Sequence, residues 1–207
     1  MNSRAGASGG NRGAPGAPAK PELELVEFAD AVVWEAWLEA NHATAPGVWL
    51  KLSKKSAPRP TVAQADAVES ALCFGWIDGQ VGRIDEHFYK QRFTPRRPGS
   101  RWSRLNTQRI AALAGAGRMR PAGVAEVEAA QADGRWDAAY SQAEARVPPD
   151  LAAAIAADPR ASAFFATLSS QNRFALIFRL EDAKRPETRL RRIRQYVEML
   201  AAGQTFH

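Results

Sequence analysis

Gly75-Trp-Ile-Asp-Gly-Gln-Val-Gly-Arg-Ile-Asp-Glu-His-Phe-Tyr-Lys-Gln-Arg-Phe-Thr94 is the stretch on which the fold turns. Gly75 ends the apolar run before it. Trp76–Ile84 and His87–Thr94 read as two strands joined by a turn at Asp85-Glu86, which makes a β-hairpin. Strand alternation puts Tyr89, Gln91 and Phe93 on one face of the second strand and Lys90, Arg92 and Thr94 on the other. One face is thereby predicted to pack on a core while its reverse presents basic groups.

Upstream, Glu22–Phe28 alternates apolar and acidic residues, as a half-wet strand does. Asp30 is placed to cap a helix over Ala31–Asn41, with Trp34 and Trp37 spaced as core residues. Ala45-Pro46-Gly47 breaks that helix, and Val48–Ser53 reads as a further strand. Thr61 with Gln64 predicts a capping box for a helix over Val62–Phe74. Downstream of the hairpin, Pro95, Pro98 and Gly99 impose an irregular basic loop, and Ser103 is an N-cap for a helix from Arg104 to about Ala114. From there the pattern is helical only: Pro121–Asp133, Leu151–Ala156, a helix opened by Asp158-Pro159, Asn172–Leu180, and Pro186–Ala202 with a stripe of Leu190, Ile193, Val197 and Leu200. The fold class expected is α+β, with an N-terminal mixed-sheet module over 22–115, a helical region over 116–207 and a disordered tail over 1–21.

Composition narrows the function. Cys73 is the single cysteine, so an internal disulfide is excluded, and the three histidines show no metal-ligand spacing. No metal or other cofactor is expected. No apolar run approaches the ~20 residues of a membrane span, and the Gly-, Ala- and Pro-rich start lacks a secretory signal pattern, so a cytoplasmic location is expected. Gly-rich phosphate loops and Gly-x-Ser-x-Gly elbows are absent.

The net charge is +6, and 88–125 contains no Asp or Glu while holding Lys90, Arg92, Arg96, Arg97, Arg101, Arg104, Arg109, Arg118 and Arg120. Such a run predicts an anionic partner. The candidate ligand-binding residues are Trp76, Asp78, Tyr89, Arg92, Arg96, Arg97, Trp102, Ser103 and Asn106. Planar guanidinium forks would take a carboxylate or phosphate, Trp102 would stack on a ring, and the helix start at Ser103 and Asn106 would favour an anion. The competing structural reading packs Trp102 beneath the loop and pairs Arg96 and Arg97 with nearby acids. Two other functions stay open: nucleic-acid binding through the basic 90–120 stretch, and an enzyme using Asp78 with Glu86 or His87. Neither an oligomeric state nor a catalytic residue can be read from the chain.

The motifs taken together resemble the YdeI/OmpD-associated, or bacteriocin-protection, family. They are Trp34, Trp37, Leu38, Asn41 and His42; Glu69 to Gln80; Gln91 to Arg97 with Trp102, Ser103 and Asn106; Gly117-Arg118-Met119 and Pro121-Ala122-Gly123; Ala132 to Trp136; and Ala183 to Arg189. The resemblance runs from about Phe28 to Ala202. It implies an α/β N-terminal part, a helical C-terminal region and a link to envelope stress and tolerance of antimicrobial peptides. It implies no catalytic residue and no cofactor.

Overall fold

The computed structural model describes residues 22–206; the expectation of a disordered 1–21 tail lies outside the described residues. Packing divides the chain into two compact units, Met1–Pro95 and Arg96–His207.

The first unit is a two-layer α/β sandwich. Its elements are β1 (Leu25–Val26), α1 (Ala31–Asn41), β2 (Val48–Ser53), α2 (Gln64–Cys73), β3 (Trp76–Arg83) and β4 (Phe88–Pro95). The sheet has the order β1-β2-β4-β3, with β1 parallel to β2 and the other pairs antiparallel. The hairpin forms as expected, and its turn is closed by Asp85, whose Oδ1 accepts from the backbone N–H of His87 and of Phe88, both at 2.7 Å. Gly75 takes φ +74°, the left-handed conformation that turns the chain from α2 into β3. Val48, Leu50 and Leu52 of β2 and Phe93 of β4 are buried on one face, where Trp34 of α1 meets Phe93 edge-on at 5.8 Å. Burial of each such side chain stabilises the unit by about 1.5–3 kcal/mol.

Two local expectations change. The first strand shrinks to Leu25–Val26, because beyond it Glu27 turns to pair with Lys51 and Arg59 rather than extending the ladder. The Thr61–Gln64 capping box does not form: α2 starts at Gln64 after Ala63, with no side-chain cap. Thr61 is used across the fold instead. Its Oγ1 accepts from Ser53 N at 2.9 Å, and its own N–H donates to Ser53 Oγ at 3.2 Å.

The second unit is helical: α3 (Arg104–Gly115), α4 (Pro121–Ala132), α5 (Pro149–Ala156), α6 (Pro159–Thr167), α7 (Ser170–Glu181) and α8 (Pro186–Ala201). Starts follow the local signals. Ser103 accepts from Asn106 N, Asp158 from Arg160 N and Ala161 N, and Pro121 and Pro186 occupy first-turn positions. Leu151, Ile155, Ala161, Leu168, Leu176, Leu180, Ile193, Tyr196 and Leu200 form its core. On α8 the buried stripe is Ile193, Tyr196 and Leu200; Leu190 is 60% exposed, so the buried face is rotated from the one expected. Residues 96–115, grouped with the sheet module on sequence, fall in this unit, where Tyr140 O accepts from Arg104 N at 2.8 Å and Tyr140 N donates to Trp102 O at 3.0 Å.

Candidate functional site

In the helical unit the loop 96–103 is shaped by its own polar groups. Ser100 Oγ accepts from Arg97 N at 3.0 Å, Arg97 O accepts from Ser100 N at 3.0 Å, and Gly99 supplies the required φ of +77°. The turn delivers Trp102 to the interior, 1% exposed, with the Arg96 guanidinium 3.5 Å from its ring centre and Trp136 5.1 Å away. Trp102 therefore packs under the loop, with its Nε1 buried and lacking an acceptor among the described residues.

Beside it opens a cleft of about 650 Å³ lined by Gly99, Arg101, Trp102, Arg135, Ala138, Glu181, Asp182, Lys184 and Arg189. Three of its cations are braced by acids. Arg101 bonds Glu181 at 3.1 Å and Asp182 at 3.2 Å, and its guanidinium lies 4.1 Å over Phe178. Arg135 holds Asp133 at 2.7 Å and donates to Ser100 O at 2.9 Å. Arg189 grips Asp150 through Nε at 2.6 Å and Nη2 at 2.8 Å. The hydrogen bonds from Arg135 and Arg189 are the leading cause of the lowered carboxyl pKa values of Asp133 and Asp150. Lys184 is exposed and has no partner among the described residues.

The residues singled out on sequence fall in both units. In the helical unit Trp102 lines the cleft. Arg96 is buried on the Trp102 ring, and the Arg97 side chain is exposed. Ser103 and Asn106 are engaged where α3 begins: Ser103 Oγ caps Asn106 N, and Asn106 Oδ1 accepts from Arg109 Nη1 at 3.1 Å. In the sheet unit Trp76 is buried and donates Nε1 to His42 O at 3.1 Å. Asp78 accepts from Gln91 Nε2 at 2.8 Å. Tyr89 is half-buried and its hydroxyl pKa is raised by that burial. Arg92 is half-buried, its guanidinium lying against Gly79.

Asp78 near the start of β3 and the turn holding Glu86 and His87 are more than about 13 Å apart by strand rise, too far for an acid–base pair. Glu86 instead lies 3.2 Å from His87 Nε2. Among the described residues no cluster of three or more His, Cys, Asp or Glu could hold a metal, and no helix is long and apolar enough to cross a membrane.

Arg101, Arg135, Lys184 and Arg189 were not among the site residues expected. Arg101 lay in the acid-free run, and Lys184 and Arg189 lay in a motif read as a helix start; the contacts that join them span up to 81 positions.

Two family models match the chain. Residues 26–126 match a domain of unknown function (DUF8412), and residues 144–203 match "Bacteriocin-protection, YdeI or OmpD-Associated". No curated protein and no solved structure matches. The second match is narrower than the resemblance seen in the motifs, of which Ala183–Arg189 lies inside it. It takes in α5 to α8 and the Glu181–Arg189 rim of the cleft, so the chain carries a YdeI/OmpD-associated, bacteriocin-protection domain over 144–203, preceded by a sheet-bearing domain of unknown function.

Proposed function

We propose that the protein binds a small anionic ligand, a carboxylate or phosphate, in the cleft bounded by Arg101, Arg135, Lys184 and Arg189. The observation that carries this reading is Lys184: an ammonium without a partner among the described residues, on the rim of a roomy cleft that three braced guanidinium groups also line. Bracing matters because a guanidinium already held by a carboxylate loses little further side-chain entropy on meeting a ligand. A cleft of this size suits a compound of metabolite dimensions. Arg101 and Arg189 each keep N–H groups beyond those given to acids.

The cellular setting follows the family description. Protection against bacteriocins, exerted from the cytoplasm, is the role proposed. A chain of net charge +6 repels cationic peptides, so protection acts through a bound anionic metabolite rather than by sequestering the peptide.

The test is a thermal-shift screen of small carboxylates and phosphates on the full chain, repeated with Lys184→Ala and Arg101→Ala. A ligand at about 100 times its Kd stabilises the parent by about 2.7 kcal/mol, and both variants lose most of that gain. Equal stabilisation of all three proteins, or of none by any anion, sinks the proposal.

A further inference from the structure

Gly79 and Gly82 of β3 lie beside the two long cations of β4. A Cβ at Gly82 would stand 3.2 Å from Lys90 Cε, and one at Gly79 3.4 Å from Arg92 Nε. Glycine there leaves room for both stems to lie across the strand. In register Lys51 opposes Lys90 and Trp49 opposes Arg92, and the Lys90 ammonium sits 4.7 Å over the Trp49 ring. Alternation places these side chains on the sheet face opposite the one that Trp34 of α1 covers.

Charge on this face is unbalanced. Glu27 is taken by Lys51, at 3.0 Å, and by Arg59. Lys90 and Arg92 have no acidic or hydrogen-bonding partner among the described residues, and Arg92 Nε is buried without an acceptor. Like charges directly opposite one another destabilise a sheet, and a half-buried guanidinium lacking an acceptor adds to that cost. An anion bound on this face would offset both.

We propose that this face binds single-stranded nucleic acid. Backbone phosphates sit on Lys90 and Arg92, and a base stacks on Trp49 once the ammonium leaves the ring for a phosphate. An exposed base is needed for the stacking, which a duplex withholds. The site is independent of the cleft in the helical unit.

Fluorescence polarisation of a labelled single strand of about 16 nucleotides tests this on the full chain. Two phosphate contacts predict a log–log salt slope of about −1.4 between about 50 and 300 mM salt. Lys90→Gln and Arg92→Gln each weaken binding several-fold, and Trp49→Leu weakens it about tenfold. Arg191→Gln on α8 and Lys184→Ala in the cleft leave it unchanged. A duplex of the same sequence binds at least about tenfold more weakly. Absence of single-strand binding at about 50 mM salt, equal affinity for duplex, or equal losses in the Arg191 and Arg92 variants overturns the proposal.

Discussion

The Arg96 guanidinium sits over the Trp102 indole, its central carbon 3.5 Å from the ring centre, with both side chains buried. Trp136 closes on the same indole at 5.1 Å. A desolvated cation over a tryptophan face is worth about 2 kcal/mol. The stack thus anchors the loop that borders the cleft. Trp102→Ala should cost about 3–5 kcal/mol and Arg96→Lys about 1–2 kcal/mol, since an ammonium cannot lie flat on the ring. Urea unfolding followed by tryptophan fluorescence measures both, and losses below about 0.5 kcal/mol would remove the anchoring role.

Gly47 has φ +138°, and a Cβ built on it would meet Thr94 Cγ2 at 2.6 Å and the Phe93 carbonyl at 2.7 Å. Since the carbonyl belongs to the sheet, it cannot swing aside. Gly47→Ala is expected to destabilise the sheet unit by about 2 kcal/mol or more. A thermal midpoint equal to the parent's would show that the β2 entry relaxes freely.

Ser53 and Thr61 exchange hydrogen bonds across the first unit, so Thr61→Val leaves the half-buried Ser53 N–H without its acceptor. The expected loss is about 1–3 kcal/mol. Gln64→Ala should stay within about 0.5 kcal/mol, because Gln64 caps nothing. The reverse ranking in chemical denaturation would restore the capping box.

Asp150 has its carboxyl pKa lowered, first by the side-chain hydrogen bond from Arg189, whose own pKa is raised by the same contact. A depressed carboxyl pKa contributes stability that is present above the unfolded value of about 3.9 and is lost as pH falls through the folded value. The pair is 44% and 28% exposed at its side chains, so solvent screening keeps its contribution at neutral pH under about 1 kcal/mol. Thermal midpoints of parent and Asp150→Asn should therefore differ at neutral pH and converge below about pH 4. A gap that persists in acid would assign the effect to something other than ionisation.

For the cleft, Lys184→Glu should weaken anion binding more than Lys184→Ala, which itself costs about tenfold, the value of one charge-assisted hydrogen bond. Calorimetric titration with the best anion from the screen reads both. Equal affinities would place the ligand away from the α7–α8 junction.

Much of the local structure was legible in the residues. Asp30, Ser103 and Asp158 each accept from a backbone N–H within three positions, so the helix starts they mark are short-range events. The hairpin was legible for the same reason, its turn being closed by Asp85 over three residues. Cys73 is buried and, as the single cysteine, forms no internal disulfide. Where the local reading failed, a distant partner had intervened: Ser53 drew Thr61 out of its cap, and Lys51 and Arg59 drew Glu27 away from β1.

Spacing and side-chain type alone determined that this chain forms helices and a hairpin, where most of them begin, and that its middle is basic. Those features depend on contacts a few residues apart, which a linear pattern records. Only the tertiary structure decided the strand order β1-β2-β4-β3, the burial of Arg96 on Trp102, and the gathering of Arg101, Lys184 and Arg189 around one cleft. Whether a guanidinium meets an acid, a ring or open space depends on chain segments such as 101 and 182, joined across 81 positions by packing that no local periodicity encodes.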